Sequence, residues 1–181
     1  MKPSPAVQTG VLFGTHLLVA VCIGWLSGHP RVRRRLDDAP ALSTAWLVGG
    51  AALPDVVDKP LGALRVVDVY QSVGHSALLA PLAIAVATRN RRRGLAAAVG
   101  WGSHLALDAL HVVLNGRAND ALFLAWPVLT RSSPLAIPPG EFALYYVGSP
   151  SFLLEVALWL TALVVALRSR FGGGPGRRSD R

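Results

Sequence analysis

Cys22 is the sole cysteine of the chain, so no intrachain disulfide can form and a thiolate metal site cannot be built from one copy. Cys22 itself sits in an apolar run and reads as a small core- or lipid-facing residue. Charge is scarce as well: 15% of the 181 residues are charged and 52% are hydrophobic, with a mean hydropathy of +0.43. This excludes an ordinary soluble domain and points to a multi-pass protein of the cell membrane. The chain has no internal repeat, no Gly-rich phosphate loop and no nucleophile elbow, and Gly172-Gly173-Gly174 is a linker. The net charge of +8 does not mark a nucleic-acid partner. The basic residues gather in short loops beside apolar runs, where they set topology and meet anionic lipid.

What is present is a series of apolar runs that predicts about five transmembrane helices. They form one all-α domain, residues 1–171, followed by a disordered basic tail, 172–181. The first span covers about 7–27. Only Lys2 occupies its n-region and no Ala-x-Ala-like site follows, so it reads as a retained helix stopped by Arg31, Arg33, Arg34 and Arg35. The run 41–54 is short for a span and leads to Asp55 and Asp58, expected in a turn between Pro54 and Pro60. The stretch 61–72 reads as interfacial, 73–88 as the third span, 95–114 as the fourth and 151–167 as the fifth. The Pro-rich connection 115–150 carries Trp126, Tyr145 and Tyr146, aromatic residues suited to a membrane interface.

Loop charge orients these spans. The 31–35 loop holds four Lys or Arg, the 89–93 loop four and the tail from Arg168 five, which is thirteen of the eighteen. Positive-inside topology then places the N-terminus outside and the C-terminus in the cytoplasm. In that arrangement Asp55, Asp58 and His75 fall at the outer ends of the second and third spans. His16 and His104 lie at similar depth, and Asp108 and His111 come successively closer to the outer surface.

Ionisable groups in lipid are costly, at least ~2.5–3.5 kcal/mol for an Asp, and normally face a protein interior or a water-filled cavity. On a helix, His104, Asp108 and His111 share one face, because steps of three and four residues return to nearly the same azimuth. With His16, Asp55, Asp58 and His75 they form an imidazole–carboxylate set without thiolate, appropriate to one or two divalent ions, Zn²⁺ or Mn²⁺ foremost. The candidate ligands are therefore His16, Asp55, Asp58, His75, His104, Asp108 and His111, with Asp55, His75, His104 and Asp108 as the catalytic core. Ser76 and Ser103 neighbour His75 and His104 in sequence, but adjacent helical residues diverge by about 100°, so a serine nucleophile is not expected. Glu155, near the start of the last span, is expected to be an accessory group.

The combination of His16, Leu53-Pro54-Asp55, Gly74-His75-Ser76, Gly102-Ser103-His104-x-x-x-Asp108 and Trp126-Pro127 resembles the YdjM-like family of membrane-bound metal-dependent hydrolases, over about residues 10–130. The resemblance implies metal binding and, through it, hydrolysis. Three departures stand out. Asp58 comes one position later than the family's second Asp, Tyr70-Gln71 stand where its first His-Arg would be, and His111 stands where a Thr is common. The expected activity is hydrolysis of a phosphoester or lipid-like substrate by metal-activated water, with membrane lipids as surroundings and no nucleic-acid partner. A metal or proton transporter using the same residues, and a non-catalytic protein stabilised by metal, are the alternatives.

Overall fold

The computed structural model describes residues 13–35, 40–129 and 146–171. Among these, the regular structure is entirely helical: α1 (Phe13–Gly28), α2 (Pro30–Arg35), α3 (Thr44–Ala63), α4 (Ala80–Arg89), α5 (Arg93–Leu114) and α6 (Pro150–Phe171). Short 3-10 segments occupy Ala77–Leu79 and Ala118–Ala125. Two helices, α5 and α6, are long and apolar enough to cross a membrane. At 22 residues each they extend about 33 Å. Helix α1 and the stretch Ala77–Arg89 are apolar but shorter. The first residues of the expected first span, Tyr145 and the expected tail 172–181 lie outside the described residues.

The core is the crossing of α3 and α5, and glycine decides how close it can be. A Cβ on Gly50 would lie 2.0 Å from the carbonyl oxygen of Ala97, and one on Gly100 would lie 2.0 Å from that of Leu47. Only hydrogen fits at either place, so the two backbones touch. Leu47, Ala51, Ala96 and Ala20 of α1 fill the rest of this seam and are completely buried. Small residues at a helix crossing are the packing that works where lipid removes the hydrophobic incentive to associate.

Helix α3 differs from expectation. It runs through both Pro54 and Pro60 for 20 residues, so Asp55 and Asp58 lie on a helix and not in a turn. Proline removes one N–H from a helix, a loss that neighbouring groups can answer. Pro54 leaves the Gly50 carbonyl without its helical donor, and the next carbonyl, that of Ala51, accepts from His104 of α5. The stretch read as interfacial, 61–72, completes α3 and then becomes an irregular connection that folds back over the helix ends. The basic loop 31–35 is largely the short helix α2.

Candidate metal centre

Six of the seven candidate ligands named from sequence come together where α1, α3, α5 and the connection before α4 meet. His16 is on α1, Asp55 and Asp58 on α3, His75 in the connection, and His104 and Asp108 on α5. All six are buried. Two sets of ligand atoms, His16/His104/Asp108 and Asp55/His75/His104, each lie within 4.8 Å of one another.

The orientation of the imidazoles follows from what their Nδ1 atoms do. His104 Nδ1 lies 2.7 Å from the Ala51 carbonyl oxygen, which only accepts, so Nδ1 carries the hydrogen and Nε2 presents its lone pair. His75 Nδ1 is 2.7 Å from Asp58 Oδ2 and donates to it in the same way. Asp58 also accepts the backbone N–H groups of Ser72 and Gly74, at 2.7 and 2.9 Å, and of His75 at 3.2 Å. Its oxygens are thus engaged, and it acts on the centre by holding His75 and the connection. A carboxylate behind a ligating histidine fixes the tautomer and raises the basicity of the free nitrogen.

The free nitrogens converge. His75 Nε2 and His104 Nε2 are 3.1 Å apart. Asp108 Oδ2 is 3.4 Å from the first and 3.7 Å from the second, and Asp55 Oδ1 is 3.7 Å from His75 Nε2. His16 stacks on His104 with ring centroids 3.7 Å apart, and its Nε2 is 3.2 Å from Asp108 Oδ1. Asp108 Oδ1 is buried, with His16 Nε2 as its nearest polar neighbour.

Two neighbours were not singled out from sequence. Gln71 donates its side-chain N–H to Asp108 Oδ2 at 2.7 Å, across 37 residues of chain. Lys59 donates to Asp55 Oδ2 at 2.9 Å, one helical turn away. The latter spacing, i to i+4, was visible in the sequence, but it brings the groups together only because residues 55–59 are helical and not a turn. Two glycine and aromatic contacts hold the connection in place. Gly74 packs against the Pro54 backbone where a Cβ would be 2.8 Å away, and Trp101 Nε1 donates to its carbonyl at 2.9 Å.

His111 is buried on the same face of α5 but belongs to a different group. It stacks on Tyr146, and its Nε2 is 3.4 Å from Asn115 Nδ2. The polar set around it ends at Glu155 of α6, which accepts from Tyr146 and, at 2.6 Å, from the Thr15 hydroxyl. Trp159 Nε1 in turn donates to Thr15 at 3.0 Å. Burial and the bond to Glu155 push the Tyr146 phenol above its usual range. Tyr146, read from sequence as suited to a membrane interface, is buried in the protein.

Comparison of the chain with known families, with curated proteins and with solved structures finds no match.

Proposed function

We propose that the chain is a membrane-embedded, metal-dependent hydrolase that acts on phosphoester bonds. The observation that carries the reading is the 3.1 Å approach of His75 Nε2 to His104 Nε2, with both Nδ1 atoms already committed. As neutral rings they would face each other with lone pairs, beside the carboxylates of Asp55 and Asp108, an arrangement that a divalent cation would satisfy. His16, Asp55, His75, His104 and Asp108 are the residues that would hold a divalent ion, and imidazole with carboxylate suits Zn²⁺ or Mn²⁺. Such an ion supplies a water whose pKa is lowered toward ~7, a nucleophile at neutral pH. The likeness to YdjM-like motifs supports this reading. So does the exposure of Leu153, Leu160 and Leu163 along α6, which fits lipid contact in a five-span topology with the centre in the outer half.

The test is metal analysis of detergent-purified protein, followed by phosphoester cleavage with and without a chelator. A stoichiometric ion with chelator-sensitive hydrolysis is the expected result. Ion uptake into vesicles without hydrolysis would replace the enzyme by a transporter, and absence of any ion would remove the reading. For sidedness, a reporter fused after Arg181 should read cytoplasmic and one inserted at Asn119 external.

A further inference from the structure

The metal centre is closed on most sides. The side chains of His104, His75 and Asp108 are 0%, 1% and 4% exposed, whereas Asp55 reaches 10% and Lys59 56%. Along α3, exposure therefore rises from the cluster through Asp55 to Lys59, while Gln71, on the other side of Asp108, is half-buried. The ammonium there is placed on two sides. It donates to Asp55 Oδ2 at 2.9 Å and lies 5.5 Å from the centroid of the Phe13 ring. Only one of its three N–H donors is used by Asp55. An ammonium one carboxylate away from the candidate ligands can touch what those ligands' ion touches.

We propose that this opening is an anion subsite, in which Lys59 binds a phosphate oxygen of the substrate while Asp55 remains with the metal. The proposal rests on the hydrolase reading and gives it a substrate class: an ester whose phosphate is charged in the ground state. Lysine serves as a point charge for phosphate, and a partly exposed one can follow the group as it enters. Charge supports the assignment. Asp55, Asp58 and Asp108 bring three negative charges and Lys59 one positive, so a divalent ion makes the cluster neutral and leaves no electrostatic barrier to an anion.

The experiment measures binding of inorganic phosphate to metal-loaded, detergent-solubilised protein, for the native chain, Lys59→Gln and Lys59→Arg, with metal content determined on each sample. The native protein should bind phosphate, Lys59→Gln should weaken it about tenfold at full metal occupancy, and Lys59→Arg should restore most of it. Glycerol phosphate and phosphatidic acid in mixed micelles, used as competitors, separate a soluble ester from a lipid one. Stronger competition by either supports the subsite and names its source. Native-like phosphate affinity in Lys59→Gln overturns the proposal, as does absence of phosphate binding to the metal-loaded native chain. Loss of metal from Lys59→Gln also overturns it, making Lys59 a support for Asp55 alone. A native protein without metal would instead remove the hydrolase reading on which this rests.

Discussion

Asp108 and Glu155 are both carboxylates buried in α5 and α6, the two helices among the described residues that are long and apolar enough to cross a membrane, and their surroundings are opposite in kind. Glu155 is answered by hydroxyls: Thr15 donates to one oxygen and Tyr146 to the other. Asp108 receives one amide hydrogen, from Gln71, and otherwise faces the Nε2 atoms of His16, His75 and His104. A carboxylate satisfied by neutral donors needs nothing further and can join two helices. One that faces three imidazole nitrogens, two of them on rings whose Nδ1 atoms are already committed, could hold a cation. Burial alone does not separate the two, since both are almost completely enclosed; the direction of the hydrogen bonds does.

The comparison breaks most severely if His104 is not a ligand. His104→Ala and Asp108→Ala should each abolish stoichiometric metal, and the double variant should be no worse, because groups that act as one unit are not additive. Metal analysis on monodisperse preparations decides it, and full occupancy in either well-folded variant would leave Asp108 as structural as Glu155. Asp58→Asn should have a smaller effect, lowering metal affinity about 10–100-fold without loss of stoichiometry at saturation, because it loosens the His75 ring without removing a ligand. Competition with a chelator of known affinity measures this, and an unchanged affinity would make the Asp58–His75 contact incidental.

Acidity sharpens the contrast further. Imidazole binds an ion only as the neutral ring, so metal affinity should fall as pH is lowered, read by chelator competition at stepped pH. An affinity independent of pH would mean that the histidines are not ligands. The smallest effect on metal belongs to Glu155→Gln: affinity within about twofold of native, but stability lower by ~1–3 kcal/mol, since a hydrogen bond to a charged acceptor is weakened. Thermal melting in detergent gives the second number, and a loss of metal as deep as that of His104→Ala would place Glu155 in the centre.

The helices that sequence reveals and those it hides differ for a physical reason. The runs 95–114 and 151–167 are uninterrupted, and they fall within α5 and α6. Helix α3 was hidden because Pro54 and Pro60 read as breaks, although its C-terminal half carries Asp55, Asp58 and Lys59. The gathering of His16, Asp55, His75, His104 and Asp108 was foreshadowed by residue type and depth, whereas the division of labour was not. Asp58 looks like a ligand until the connection is seen to fold back over it. His111 shares a face with Asp108, but three residues move it about 4.5 Å along the axis, into the Tyr146 group. Gln71 could not be read at all, because nothing local ties it to a residue 37 positions away.

The Asp58 carboxylate holds the backbone N–H groups of Ser72, Gly74 and His75 as well as the His75 ring. Ordering of that connection and aiming of the ring are consequently one equilibrium. An ion captured at Nε2 must slow solvent exchange of those three amides by the same factor by which it favours the closed connection, while the amides of α6, whose Glu155 carboxylate is held by Thr15 and Tyr146, keep their rates. Occupancy of the centre is thereby written into the protection of three peptide groups, which report on it even when the ion itself is spectroscopically silent.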